Sequence, residues 1–330
     1  MNVVSLFNGM NTGRQALENV GIKVNKYYSS EIKPYAIELT QHHFPDTIQV
    51  GDVTKWKEWD IDWKTIDLVL SGSPCQDLSA AGKRAGINGS KSSLFFVFVE
   101  ILEHIKSLNP KVLFLQENVG SASKLDVGIM SRYLGVYPVR INSSLVTAQL
   151  RDRYYWSNIK TRQDGLFGDI ITDIPQPKDK GIMFKDIITN GYVERVKSKT
   201  LLEQTEKGFG HKDRFSEKAQ EYIKGREKFG ASLVYQINPS KESGGVQPIC
   251  AGSIYDVKGK SVALTECLAH KIKYQTEDLK VRTVNKIEMC RLQGFPDNYC
   301  DILSTKKAGS LLGDGWTLPI IEHIFKFIKQ

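Results

Sequence analysis

The sequence predicts an α/β protein built on a mainly parallel sheet with helices on both faces. Two observations carry this. Short apolar runs, VVSLF, VNKYYSS, TIQV, DLVLSG, KVLFLQ and INSSLVTA, recur through the first half of the 330-residue chain. Segments with helical periodicity, TGRQALENVG, KPYAIELTQHHF and SSLFFVFVEILEHIKSLN, fall between them and end near Gly, Pro or Asn. In such a sheet a ligand sits beyond the carboxyl ends of the strands, where the winding reverses.

From about residue 160 the alternation gives way to charged and polar sequence with scattered glycines. Residues 160–280 hold 21 Lys and Arg against 17 Asp and Glu, half of the +8 net charge in about a third of the chain. This predicts a separate lobe, and a basic balance that weakly favours a polyanionic partner. Within it, the charged segment 194–228 reads as a solvated helical face. Regular structure returns with VNKIEMCRLQGF and LLGDGWTLPIIEHIFKFIK, whose apolar positions suit helices packing on a sheet. Five cysteines without a CxxC pair, and no His at zinc-ligand spacing, argue against a structural metal and a disulfide framework. With no apolar run near 18 residues and no signal-like start, the expectation is a cytoplasmic protein that does not enter a membrane.

The first strand runs into SLFNGMNTGRQAL. Gly9 and Gly13 allow a tight turn and close backbone approach to a ligand, and Thr12 is placed to cap the first helix. Taken alone, this fragment is equally a strand-to-helix loop that needs glycine. The second strand ends at Glu31, 23 residues after Asn8, near the spacing at which α/β nucleotide folds set a carboxylate on ribose hydroxyls. Asp52 follows the third. Three consecutive strand ends thus offer a backbone cradle, a ribose acid and an adenine-edge contact. An adenosine ligand without polyphosphate fits, and S-adenosylmethionine is the commonest one in this architecture.

The fourth strand ends in SGSPCQDLS, with Cys75 on a polar turn. Most cytosolic cysteines are small hydrophobes, but Pro74, Gln76, Asp77 and Ser79 make this a poor place to bury one. A thiolate nucleophile is the alternative, and it needs stabilising surroundings. KVLFLQENV sets Glu117 at the end of an apolar strand, and QLRDRYYW sets Arg151 and Arg153 two apart, on one face if extended. A thiolate, a carboxyl group and a guanidinium are the set that activates a pyrimidine. The thiolate adds to carbon 6, the protonated acid steadies N3, the arginine holds O2, and carbon 5 attacks a methyl sulfonium.

FNGMNTG, SPCQDLS, ENV, QLRDRYYW, RLQGFPD and LLGDGW, in this order, resemble the motif series of cytosine-5 DNA methyltransferases, over residues 3–158 and about 282–328. The wording of the motifs is most similar to the catalytic domains of the animal de novo enzymes and to compact phage and bacterial relatives. The resemblance implies a Rossmann-like fold that uses S-adenosylmethionine, a catalytic domain at 1–159 and 281–330, and a target-recognition insertion at 160–280. It implies Cys75 as nucleophile, Glu117 as partner of N3, Arg153 orienting the base and Arg151 bracing the site. Phe7, Asn8, Gly9, Met10, Asn11, Thr12, Gly13, Glu31, Ile32, Asp52, Val53, Ser73, Pro74, Leu94, Asp314, Gly315 and Trp316 would surround the cofactor. It also implies double-stranded DNA as partner, flipping of the cytosine, closure of a loop from Ser79 to Arg84, no metal, and a monomer or weak homo-oligomer.

Two positions depart from the family pattern. Asn8 stands where an acidic or small residue is common, and Asp314 where Asn or Arg is usual. Asp314 either tunes the cofactor site or points to solvent or caps the last helix. An RNA cytosine methyltransferase is the neighbouring reading, but the PPC and CFT elements of the tRNA-directed relatives are not visible. A non-catalytic DNA-binding homologue is a third, disfavoured because Cys75, Glu117 and Arg153 are all present. His42 and His43 read as helix surface, and Trp56, Trp59 and Trp63 as packing residues.

Overall fold

The computed structural model describes residues 1–74, 93–165, 168–189 and 281–329, with the backbone of short strands at 233–236, 253–256, 261–262 and 273–275. Cys75, the loop from Ser79 to Arg84 and the charged segment 194–228 lie outside the described residues. The chain groups into two compact units. One comprises Met1–Asn142, Asp152–Pro177 and Gly315–Gln330, the other Ser143–Arg151 and Lys178–Asp314.

The sheet of the first unit is formed by β1 (Asn2–Leu6), β2 (Lys26–Ser30), β3 (Ile48–Gln49), β4 (Leu68–Ser71), β5 (Leu113–Val119) and β6 (Val139–Asn142). After β7 (Gln149–Leu150), which belongs to the second unit, it is completed by β8 (Asp152–Ser157). The spatial order is β3-β2-β1-β4-β5-β8-β6. The first five strands run parallel, and β8 inserts antiparallel between β5 and β6. Every residue of β4, LVLS, is buried, as a central parallel strand covered on both faces requires.

Helices α1 (Thr12–Asn19), α2 (Pro34–His43), α3 (Ser93–Leu108) and α4 (Lys124–Leu134) supply the crossovers. Successive strand residues point to opposite faces, so Val4, Leu6, Val69 and Phe114 join one cluster with Phe95, Phe98, Ile101 and Ile105 of α3 and Met130 and Leu134 of α4. On the other face Leu70 and Tyr27 lie against α1, close enough that a Cβ at Gly13 would strike them. Helix α4 starts at Ser123, whose Oγ accepts the Asp126 N–H at 3.1 Å, and stops at Gly135, whose φ of 69° ends the helix in left-handed backbone. Trp59 and Trp63 stack at 6.1 Å, and Trp63 and Trp56 lie 5.7 and 5.3 Å from His104 of α3, so the three tryptophans pack the unit.

Two local expectations change. In the INSSLVTA run the strand stops at Asn142, because Ser143 O accepts the Val146 N–H, the Thr147 N–H and the Thr147 hydroxyl and turns the chain into a 3-10 segment. Thr12 is the first helical residue of α1 rather than its cap. The N-cap is Asn11, which enters from left-handed backbone at φ 62° and makes no side-chain cap bond.

The second unit pairs β11 (Leu233–Gln236), β12 (Ser253–Asp256), β14 (Lys273–Gln275) and β15 (Val281–Thr283) in that order, once β9 (Thr161–Asp164) and β10 (Asp169–Thr172) have closed a hairpin in the first. The strand β13 (Ser261–Val262) pairs with β7. Helix α5 (Lys286–Gln293) opens with a reciprocal cap between Asn285 and Glu288. Glu288 is fully buried and also accepts the Thr189 N–H at 2.8 Å and its hydroxyl at 3.1 Å, which compensates the lost water. Helix α6 (Thr305–Asp314) follows, and α7 (Leu318–Phe325) returns to the first unit and packs on α1. No helix among the described residues is long and apolar enough to cross a membrane.

Phe98 is fully buried at the centre of the α3 face. Phe98→Ala is expected to lower the unfolding free energy by about 3–5 kcal/mol, seen in urea titration as a lower midpoint with an unchanged slope.

Candidate functional site

The sheet changes winding direction between β1 and β4, and the candidate site is built at the carboxyl ends of those strands. Beyond β1 the backbone is left-handed at Phe7 (φ 55°), Gly9 (φ 58°) and Asn11 (φ 62°), and Phe7 and Asn11 are the non-glycine positions with positive φ among the described residues. Such conformations are costly for L-residues and persist where surrounding bonds hold them.

Glu31 supplies the bonds. One carboxylate oxygen accepts the Gly9 N–H at 2.8 Å, and the other accepts the Ile32 and Lys33 N–H groups at 2.8 and 2.9 Å. The predicted ribose acid therefore also ties the glycine turn to the start of α2. Beneath the turn, Asn8 is buried, accepts the Tyr27 hydroxyl at 3.2 Å and donates to Thr40 Oγ1 at 3.4 Å. Burial pushes the Tyr27 phenol above its ordinary range, so it stays a donor at neutral pH.

Asp52 is exposed after β3 and accepts both the N–H and the hydroxyl of Thr54 at 2.9 Å. These bonds, the backbone one first, hold its carboxyl below the usual carboxylate range. Met10, Thr12, Gly13 and Val53 are buried, Phe7 and Leu94 half-buried, and Ile32 is 71% exposed. Both polar atoms of the Asn11 amide are buried without a protein partner, as is Ser71 Oγ at the end of β4. Left-handed backbone, a carboxylate and an unpaired buried amide form a polar cradle that suits a small polar ligand such as an adenosine derivative.

Gly72, Ser73 and Pro74 follow β4. Ser73 Oγ accepts Gln116 Nε2 at 3.0 Å, and Gln116 also donates to the Glu117 carbonyl at 2.8 Å. Glu117, on β5, is 8% exposed. Its Oε1 lies 2.7 Å from Arg153 Nε on the neighbouring β8, and its Oε2 accepts the Trp316 indole N–H at 3.1 Å. Arg153 adds a bond from Nη1 to the Asp152 carbonyl at 2.8 Å. A buried carboxylate is tolerated only when its charge and lone pairs are both satisfied, and here two donors from separate elements do so.

Arg151 is 3% exposed, sits in the one-residue gap between β7 and β8, and groups with the second unit, as does Asp314. Asp314 is the exposed last residue of α6, and α7 is entered through Thr317, so Asp314 does not cap the last helix. Gly315 and Trp316 belong to the first unit. Gln116 and Gly72 were not singled out in the sequence. A lone polar residue in the apolar run LFLQ and the small-residue run SGS were their signals. No group of three or more His, Cys, Asp and Glu able to hold a metal occurs among the described residues.

Glu31→Ala removes the acceptor of three backbone N–H groups. Amide exchange at Gly9, Ile32 and Lys33 is expected to accelerate about tenfold or more, with far-ultraviolet circular dichroism unchanged. Unaltered exchange at Gly9 would show that the turn holds without this carboxylate.

The family model described as C-5 cytosine-specific DNA methylase matches residues 1–330. The type II methyltransferase M.NlaIV of Neisseria lactamica is 38% identical over 120 residues, which are 35% of this chain and 27% of that protein. The match thus spans about a quarter of that relative's length. M.HpaII of Haemophilus parainfluenzae is 27% identical over 348 residues, covering 99% of this chain and 88% of that protein. The structure of the Entamoeba histolytica methyltransferase EhMeth superposes with a TM-score of 0.65 at 17% identity, over 100% of this chain and 99% of that one. At that identity the likeness shows the Rossmann-like methyltransferase fold alone. With the family model spanning every residue, and with a carboxylate–arginine pair at the strand ends of that fold, the chain belongs to the C-5 cytosine-specific DNA methylase family.

Proposed function

We propose that this protein transfers a methyl group from S-adenosylmethionine to carbon 5 of cytosine in double-stranded DNA. The observation that carries the reading is the ion pair between buried Glu117 and Arg153 toward the carboxyl end of β5. A pyrimidine edge needs an acid at N3 and a cation at O2, and these two groups occupy adjacent strands of one sheet.

The bound cofactor would supply an electrophilic methyl on a sulfonium sulfur. The turn Phe7–Gly13 with Glu31, Ile32, Asp52, Val53, Ser73, Pro74 and Leu94 would hold it, with Gly315 and Trp316 returning beside β4. The unpaired amide of Asn11 and the left-handed turn support this assignment. With Glu117 having taken up a proton from solvent, the Cys75 thiolate would attack carbon 6 while Glu117 passes that proton to N3, and Arg153 would hold O2. Electron density gathered at carbon 5 then takes the methyl group; solvent accepts the carbon 5 proton, the 5,6 double bond re-forms as Cys75 leaves as a thiolate, and the N3 proton returns to Glu117. Arg151 would brace the site, and Asp314 would influence cofactor preference. Reaching carbon 6 requires the cytosine to leave the stack, and residues 160–280 would contact the DNA around it. Those contacts are electrostatic, so binding should weaken as salt rises. We place the enzyme in the cytoplasm of a bacterial or phage-infected cell, as a monomer or weak homo-oligomer, with or without a restriction partner.

Base-resolution methylation sequencing of DNA from cells expressing the wild type or Cys75→Ala tests the reading. New 5-methylcytosine within a defined sequence context is expected with the wild type and none with the variant. No new modification with the wild type would overturn it, and modification confined to RNA would replace the substrate.

A further inference from the structure

Trp316 enters the proposed function as a lining of the cofactor cleft, but its polar atom faces elsewhere. The indole N–H donates to Glu117 Oε2 at 3.1 Å across 199 residues of sequence, in a buried contact. The other oxygen of the same carboxylate is held by Arg153 at 2.7 Å. Room for the indole comes from Gly72, where an added Cβ would stand 2.7 Å from Nε1 and 3.3 Å from Cε2. Gly72 after β4 and Glu117 on β5 therefore meet one ring brought back by the segment before α7, and Arg153 on β8 holds the other oxygen of the same carboxylate.

The last side-chain torsion of glutamate is broad and roughly two-fold, so one donor leaves the carboxyl plane loosely set. Donors on both oxygens fix that plane. Indole has no acceptor nitrogen and only donates, so its bond lasts while Oε2 presents a lone pair, and a base edge that uses Oε2 must share or displace it.

We infer that Trp316 is a positioning residue for Glu117: with Arg153 it sets the carboxyl plane that the cytosine edge meets, and Gly72 is glycine to admit its ring. This rests on the proposed cytosine methyl transfer. The role through Glu117 is distinct from the cofactor-lining role proposed above for the same ring.

The test uses purified full-length protein, S-adenosylmethionine and a DNA duplex carrying the mapped site. Trp316→Phe keeps an aromatic ring and deletes the N–H. Trp316→His returns one, since imidazole Nε2 falls on the indole Nε1 position when the five-membered rings coincide. Phe is expected to lower kcat about tenfold, the scale of one hydrogen bond to a charged group, with KM for S-adenosylmethionine within about threefold. His is expected to recover most of that loss. Gly72→Ala, which pushes the indole away while leaving Trp316 in place, is expected to match the Phe variant, and the double variant to fall no more than about twofold further. It carries the test where Phe at 316 fails to fold.

Wild-type kcat in Phe or Gly72→Ala would overturn the inference. So would equal losses in Phe and His with a raised cofactor KM, which would mark Trp316 as cofactor packing alone. One arm needs no activity: the Trp316 indole N–H should exchange at least about tenfold faster in Glu117→Ala than in the wild type, and equal exchange would overturn the inference. An inactive wild type with slow indole exchange would remove the functional reading and leave the contact standing.

Discussion

The reversal of strand winding between β1 and β4 is the constraint from which the site follows. Crossovers leave β1 on one side and β4 on the other, so the chain parts above their carboxyl ends and opens a crevice there. The turn beyond β1 carries positive φ at Phe7, Gly9 and Asn11, and Glu31 at the adjacent strand end binds it through the Gly9 N–H. Beyond β4 the chain is Gly-Ser-Pro, narrow enough for the Trp316 ring to lie on it. Backbone geometry, rather than a rigid set of large side chains, shapes the cradle.

Charge is the second constraint. Glu117 is buried on β5 between the neutral polar residues Gln116 and Asn118, and burying its carboxylate without a countercharge would be costly. Placing β8 antiparallel beside β5 solves this, because the register sets Arg153 opposite Val119, two residues along from Glu117 and within 2.7 Å of it. The antiparallel strand in an otherwise parallel sheet is thus tied to the chemistry proposed for the pair.

Much of this was legible in the chain. The alternation of apolar runs and helical periods located β1, β2, β4 and β5 and the helices between them, because buried parallel strands must be apolar on both faces. Glu31, Asp52, Glu117 and the arginines stood out as polar residues at the ends of such runs. Other features were not legible for physical reasons. INSSLVTA has strand propensity throughout, but Ser143 turns it through backbone bonds that propensity does not weigh. Asn11 caps no N–H although Asn favours that position, because its backbone is left-handed. The contact between Trp316 and Glu117 joins residues 199 apart, and nothing local in LLGDGW marks the indole N–H as bound to a carboxylate.

Methyl transfer by this route requires a covalent addition at cytosine carbon 6 that precedes it. Fluorine at carbon 5 cannot leave as the proton does, so the adduct on a 5-fluorocytosine duplex would persist after methylation. Incubating the wild type with that duplex and S-adenosylmethionine, then denaturing, digesting and mapping by mass spectrometry, is the most direct measurement. A DNA adduct on the peptide containing Cys75 is expected; no adduct, or one on another cysteine, would rule out addition by Cys75.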